Sequence, residues 1–276
     1  ICFKKMKKIE INSPAKLNLF LKVKEKNQDG YHNIDTSFQL IDLFDYMSFE
    51  ISNKNIVIKS NESFLENENN TIYQSAKLLL NFMDRQMGVN IKIEKKIPTG
   101  SGLGGGSSNA ASTLIALNKL WNLNLSKEEL MNIAIKIGAD VPFFVHGENA
   151  YGSGIGDKLK SKDAIKDKVL LICPKINNAS GEMYKLLDIY RKNGGNNSNH
   201  LQNDFWDIFL NKNNEIKEFY EATFDSNSLN LSGSGSSMYV LYKTENDIKE
   251  ILKKIPSNWR FFFCKPLQYS PICYIK

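Results

Sequence analysis

The sequence predicts an α+β fold in two layers, with a cleft between two halves, and three observations lead there. Strand-like alternation fills roughly the first 60 residues, and helix-like and strand-like stretches then take turns to the C-terminus. Two glycine–serine loops, 98–111 and 231–237, sit at junctions between such stretches, where a cleft is naturally placed. With 276 residues, 42% hydrophobic and 24% charged, the chain can bury one large core or two closely packed ones.

In chain order, strands are predicted over 7–12, 17–23, 34–40, 46–51 and 56–59, with turn signals at Asn27-Gln-Asp-Gly30 and Ser52-Asn-Lys-Asn55. Ile72, Ala76, Leu79 and Leu80 set a helix over 71–82. Ile91, Ile93 and Ile97 alternate as a strand before the first loop; Ala110, Leu114, Leu117 and Leu120 follow it at helical spacing. Ser126-Lys-Glu-Glu129 is a capping box opening a helix that ends near Gly138. A buried-type strand over 168–173 stops at Pro174. Residues 191–200 are polar, glycine-bearing and non-periodic, which predicts a mobile surface loop. The second loop leads into a strand over 238–242, Thr244 and Asp247 cap a helix over 248–255, and 259–264 closes as a strand. The predicted division is an N-terminal half over 1–155 and a C-terminal half over 156–276.

Composition removes several classes of function. No apolar run approaches the ~20 residues of a membrane span, and the basic start lacks the apolar centre of a secretory signal, so a cytoplasmic protein is expected. Met6 is a candidate natural start, with the five residues before it an extension. Cys2, Cys173, Cys264 and Cys273 are scattered without a C-x-x-C pair, which predicts reduced thiols and neither a zinc site nor a disulfide framework. The net charge of +6 does not point to nucleic acid: only Arg85, Arg191 and Arg260 of 36 basic residues are arginine, and the lysines are dispersed. A basic chain also suits anionic small molecules. Expected partners are therefore a small-molecule substrate, no nucleic acid and no membrane, with the protein a monomer or weak homodimer.

The strongest functional signal is Pro98-Thr-Gly-Ser-Gly-Leu-Gly-Gly-Gly-Ser-Ser-Asn-Ala-Ala111. Glycines let backbone N–H groups approach a ligand, and the helix beginning beyond adds unpaired N–H groups and a positive dipole end, so the junction favours a phosphate. It is not a Walker A loop, because no Lys-Ser or Lys-Thr follows the glycines. Gly100, Gly102 and Gly105 fit G-x-G-x-x-G, yet the ribose-binding acid expected about 20 residues on is missing, no acid occurring before Glu128. A flexible linker would not be framed so tightly by strand and helix patterning. An anion-binding strand–loop–helix is the reading that remains.

Pro14-Ala-Lys-Leu-Asn18, Asp29-Gly-Tyr-His32, the 98–111 loop, Gly138-Ala-Asp-Val-Pro142 and Ser232-Gly-Ser-Gly-Ser236 follow one another along the chain. In that order they resemble the GHMP family of small-molecule kinases, from about residue 9 to the C-terminus. The resemblance implies a two-lobed fold: an N-terminal ATP-binding lobe like ribosomal protein S5 domain 2, a C-terminal α/β sandwich lobe, and an active-site cleft between them. It implies ATP, with Mg²⁺ accompanying the nucleotide and no metal residue assigned. Lys16 and Asp140 would be catalytic, Asp140 facing the attacking hydroxyl and Lys16 pairing with it beside the transferring phosphoryl group. Pro98, Thr99, Gly100, Ser101, Gly102, Leu103, Gly104, Gly105, Gly106, Ser107 and Ser108 would bind ATP, with Asn70 and Lys96 on the adenine side. Asn18, Tyr31 and His32 would bind substrate, the Tyr–His pair holding a cytosine ring, with Ser180 and Tyr184 completing the pocket. Taken singly, Asp140 reads as a turn aspartate, Lys16 as a solvated lysine, Asn70 as a helix cap and Lys96 as a surface charge. The resemblance favours the branch whose alcohol carries a cytidine diphosphate; a kinase of the homoserine or mevalonate type, or a non-catalytic nucleotide-binding regulator, are the alternatives.

Overall fold

Two long antiparallel strands organise the N-terminal half: β1 (Lys8–Lys26) and β2 (His32–Ser52). The sequence suggested four short strands over this stretch, and the reason is visible in the pairing. The register shifts between Pro14 and Ala15, which face Phe44 and Ile41 respectively, so two residues of β2 loop past the shift. Such a bulge resets the two-residue alternation without ending the strand. The apparent gaps at 13–16 and 41–45 are that one bulge seen from its two sides.

The computed structural model describes residues 7–83, 87–195, 202–223 and 229–274. After β2 come β3 (Ile56–Ser60), α1 (Thr71–Leu80), β4 (Gly88–Glu94), α2 (Gly105–Leu120), α3 (Lys127–Ala134), α4 (Val141–His146), β5 (Ala150–Ser153) and β6 (Lys158–Ser161). The strands form one six-stranded sheet in the order β3-β4-β2-β5-β6, with β1 on β2; β3 and β4 are parallel, the other pairs antiparallel. Helices α1 and α2 cover one face, burying Phe38, Phe49, Ile91, Leu114 and Leu117 among others. Asn70 caps α1 by accepting from the Ile72 N–H, and Ser126 and Glu129 form the full capping box of α3. The regular part of α3 stops at Ala134 and tight turns carry the chain to Gly138.

The second sheet uses β7 (Lys168–Cys173), β8 (Asn230–Leu231), β9 (Met238–Tyr242) and β10 (Arg260–Cys264), ordered β10-β7-β9-β8 and antiparallel throughout. Helices α5 (Ser180–Lys192), α6 (Trp206–Lys212), α7 (Asn214–Thr223) and α8 (Lys249–Lys254) contribute to a core around Trp206, Phe209, Ile172 and Val240. The Thr244–Asp247 capping box sits on a 3₁₀ turn, Glu245–Ile248, that leads into α8. Of the predicted loop 191–200, Arg191 and Lys192 close α5, and 196–200 lie outside the described residues.

The predicted division after residue 155 runs through the β5–β6 hairpin, where Gly152 pairs with Leu159. By strand pairing the first sheet extends to Ser161 and the second begins at Lys168. A third apolar cluster joins the two sheets, with Ala15, Leu17, Ile41 and Leu103 on one side and Val169, Leu171 and Tyr239 on the other. Its mixed membership fixes the 98–104 loop against the second sheet. No described helix is long and apolar enough to cross a membrane.

Candidate active site

The 98–104 loop begins where β4 runs out and is anchored at its root by a buried acid. Asp45, with no exposure, accepts from the Lys96 and Ile97 backbone N–H groups at 2.8 and 2.9 Å, from Lys95 Nζ at 2.7 Å and from Asn109 Nδ2 at 3.0 Å. Four donors satisfy a carboxylate that would otherwise be costly to bury. Asn109 lies on α2, so the same acid ties the strand end before the loop to the helix after it. Behind it Ser13 Oγ lies 2.8 Å from both Ser108 Oγ and Ser112 Oγ.

Two glycines show why the loop has its composition. Gly104 takes φ +69 as the residue before α2, and a Cβ on it would lie 2.9 Å from the Phe144 ring and 3.1 Å from Lys16 Cε. Gly102 takes φ +78, and a Cβ on it would lie 2.1 Å from the Ser232 carbonyl oxygen. That contact belongs to a set of stitches from the rest of the molecule: Ser237 N–H to the Ser101 carbonyl at 2.9 Å, Asn178 N–H to the Gly100 carbonyl at 3.3 Å, and Ser232 Oγ to the Gly102 carbonyl at 3.0 Å.

The loop forms one wall of a cavity of about 660 Å³. At its centre is Lys16, 3% exposed, carried on β1 just past the Pro14/Ala15 register shift and fixed through its own N–H to the Leu103 carbonyl at 3.0 Å. Its Nζ reaches Asp140 Oδ2 at 3.3 Å, Asn18 Oδ1 at 2.5 Å and the Gly102 carbonyl at 3.0 Å. Asp140 stands immediately before α4, whose first turn holds Pro142, and makes no capping hydrogen bond. Its carboxylate is 32% exposed and open to the cavity. Asn18 is oriented in turn by donating to Thr36 Oγ1 at 2.8 Å.

Of the residues singled out from sequence, Lys16, Asn18, Asn70, 98–107, Asp140, Ser180 and Tyr184 line this one cavity. Ser180 Oγ meets Ser234 Oγ at 2.9 Å; Tyr184 stacks on His32 (5.2 Å, 18°) and meets Phe205 edge-on. Burial, with the nearby Asp140 charge, pushes the Tyr184 hydroxyl well above its ordinary range, so it stays a neutral donor. Four do not line it, His32 among them, packed on the Tyr184 ring. Ser108 is fully buried under the loop, Tyr31 is 62% exposed at the β1–β2 turn, and Lys96 points away, over the Tyr46 ring and toward Glu94.

Lys95 takes the place expected of Lys96 on the cavity wall. The signal was present: Ile91 and Ile93 face the core, so the two-residue period of β4 carries Lys95, not Lys96, to the same side. Burial outweighs the pull of Asp45 and lowers the Lys95 pKa. Asn178, Phe64, Leu65 and Phe205 also line the cavity and carried no motif that sequence reasoning could use. Among the described residues no three His, Cys, Asp or Glu side chains gather as a metal site.

A phosphate-type loop and an acid–lysine pair, facing one cavity across two sheets, is an arrangement for phosphoryl transfer to a small molecule. Residues 70–148 match the GHMP kinases N terminal domain, and together with the relatives that follow this makes the chain an ATP-dependent small-molecule kinase of the GHMP fold. The 4-diphosphocytidyl-2-C-methyl-D-erythritol kinase of Marinomonas sp. (strain MWYL1) is 35% identical over 96% of this chain and 89% of its own length. That of Francisella tularensis subsp. holarctica is 38% identical over 93% and 96%. A crystal structure of 4-(cytidine 5'-diphospho)-2C-methyl-D-erythritol kinase superposes with TM-score 0.76 at 26% identity, covering 94% of this chain and 99% of the other. Homoserine kinase from Cytophaga hutchinsonii shares the fold, with TM-score 0.71 at 16% identity over 98% of both chains. The chain belongs to the 4-diphosphocytidyl-2-C-methyl-D-erythritol kinase family.

Proposed function

We propose that this protein transfers the γ-phosphate of ATP to the 2-hydroxyl of 4-diphosphocytidyl-2-C-methyl-D-erythritol, giving the 2-phosphate and ADP. The reaction belongs to the methylerythritol phosphate route to isopentenyl diphosphate and terpenoids, and we place it in the cytoplasm, with the enzyme a monomer or weak homodimer. The observation that carries the reading is the position of Lys16: its ammonium is shared by Asp140, Asn18 and the Gly102 carbonyl, between the glycine loop and the second half of the cavity.

In this reading the phosphates lie along the 98–107 loop and the first turn of α2. Asn70 and Lys95 face the adenine end. Asp140 accepts a hydrogen bond or the proton from the attacking hydroxyl and points its oxygen along the line of transfer. Lys16 keeps the carboxylate in place and sets a positive charge beside the developing phosphoryl charge. Asn18 holds the alcohol, and Tyr31, His32, Ser180 and Tyr184 receive the cytidine. Magnesium arrives with the nucleotide and neutralises β- and γ-oxygens; Asp140 is the single carboxylate among the described residues lining the cavity, which fits an ion held chiefly by phosphate.

Incubation with ATP, Mg²⁺ and the cytidylyl alcohol should release ADP stoichiometrically with phosphorylated product, with homoserine and mevalonate left untouched. No turnover, or equal turnover with the other alcohols, overturns the assignment.

A further inference from the structure

The two sheets end differently. On the first, edge strand β6 carries exposed Lys158 and Lys160, and charge of that kind keeps an edge from pairing with another chain. On the second, β10 is an edge strand paired only with β7. It reads Arg260-Phe-Phe-Phe-Cys264 and has no charge inside its ends. Among the described residues, no backbone–backbone hydrogen bond outside the β7 ladder reaches it.

The register with β7 sets where the rings go. Phe261 stands opposite Ile172 and Phe263 opposite Leu170, so both rings lie on the face that carries the helices. The helices stop short of this edge, leaving Phe261 45% and Phe263 57% exposed. The two rings meet edge-on at 5.7 Å and form one apolar patch along an open strand. Phe262 turns the other way, against the cluster that joins the two sheets. A charge flanks each end of the strand. Arg260 lies over the Phe262 ring and donates to the Lys96 carbonyl at 3.3 Å. Asp42 accepts the Lys265 N–H at 2.6 Å through Oδ1. Neither forms an ion pair among the described residues.

We infer that β10 is the contact surface for a second copy of this chain, laid antiparallel along it about a twofold axis through Phe262. That register is self-complementary. Phe261 of each copy faces the partner's Phe263, which gathers the exposed rings into one cluster. Arg260 falls opposite the partner's Cys264, next to the Lys265 that Asp42 holds, so the guanidinium of each copy meets the carboxylate of the other. The same chain thus supplies a ring for each ring and an acid for each base, which selects a second copy over an unrelated partner. Pairing joins two four-stranded sheets into one. Phe261, Phe263, Arg260 and Asp42 line no part of the active-site cavity, so this inference stands apart from the substrate reading.

The test is sedimentation velocity over a dilution series, beside kcat and thermal melts for each protein. A patch below standard interface size should give wild type a dimer Kd on the order of 10–100 µM. Phe261→Lys with Phe263→Lys sets like charges opposite one another and should weaken the dimer by at least about tenfold, with kcat and Tm kept. Phe261→Ser with Phe263→Ser, which adds no charge, should weaken it several-fold. Arg260→Gln and Asp42→Asn should each cost about threefold in Kd, and the two together no more than either alone. Asparagine at 42 still accepts from Lys265, so the local backbone is kept. Wild-type protein that stays monomeric up to about 1 mM overturns the inference. So does a dimer that keeps its Kd in both phenylalanine variants, because its interface lies elsewhere. Independent, additive losses from Arg260→Gln and Asp42→Asn refute the register.

Discussion

Replacing Asp140 by asparagine keeps the shape of the side chain and removes its charge, and the geometry around Lys16 sets the size of the effect. Lys16 Nζ and Asp140 Oδ2 are 3.3 Å apart, the lysine nearly buried and the acid one-third exposed. At an effective dielectric of about 20, such a pair attracts by about 5 kcal/mol before desolvation is counted against it. Asparagine can still accept from Lys16 through its amide oxygen, and the lysine keeps Asn18 and the Gly102 carbonyl. The loop should therefore hold its conformation and ATP should bind as before. What disappears is the acceptor for the hydroxyl proton and the charge that orients the nucleophile. Such groups contribute roughly 10²–10⁴ in rate, or about 3–5 kcal/mol of barrier. An ADP-release assay with saturating alcohol should show kcat lower by that factor, while calorimetry gives an ATP affinity within about threefold of wild type. A kcat within tenfold of wild type refutes the catalytic role; an ATP affinity that falls in step with kcat refutes the separation of chemistry from loop geometry.

Gly102→Ala forces a Cβ to 2.1 Å from the Ser232 carbonyl at φ +78, and the positive φ alone costs about 1–2 kcal/mol; calorimetry should show ATP binding weaker by at least about tenfold. Lys95→Met should raise KM for ATP several-fold while Lys96→Ala leaves it unchanged, since Lys95 alone of the two lines the cavity; steady-state kinetics with the reverse pattern would show that β4 presents its other face. Glu129 and Asp247 have carboxyls lowered by backbone N–H bonds from Ser126 and from Thr244 and Lys243. Their stabilising effect is complete above the ordinary carboxylate values and is lost as pH falls through the lowered ones. Glu129→Gln and Asp247→Asn should therefore lower Tm at neutral pH, and the difference from wild type should close in acid, as read by thermal melts across pH.

What could be read from sequence was whatever depended on neighbours in the chain. The Ser126–Glu129 box, the strand over 168–173 and the helix after the glycine loop are local patterns, and each recurs in the structure close to its expected bounds. The bulge in β2 opposite Pro14 and Ala15 was hidden because it breaks periodicity in both strands at once, and only their pairing reveals one strand where two were expected. Helices α6 and α7 went unread because their apolar positions are few and short-ranged: Trp206, Ile208 and Phe209 in one, Ile216 and Phe219 in the other. At the site, motif residues came together because motifs report a shared backbone geometry. Asn178 and Phe205 line the same cavity through the crossing of β7, α5 and α6, a long-range arrangement that no spacing along the chain records.

The loop itself shows why the motifs travel together. Glycine-rich segments are mobile when left alone, yet this one has its carbonyls taken in succession from elsewhere: Gly100 by Asn178, Ser101 by Ser237, Gly102 by Lys16 and Ser232, Leu103 by the Lys16 N–H. Residues 98–107, the loop and the first turn of α2, line the cavity, where the proposed reading puts the phosphates. The donors come from β1, from the turn before α5 and from the 232–237 loop, which also line the cavity. A change in any of these segments reaches the glycine loop through a hydrogen bond, and a change in the loop reaches Lys16 directly. The Lys16 motif, the glycine loop and the serine–glycine loop therefore form one mutually dependent structure, so that in the proposed reading the phosphoryl donor and its acceptor would be placed by the same bonds.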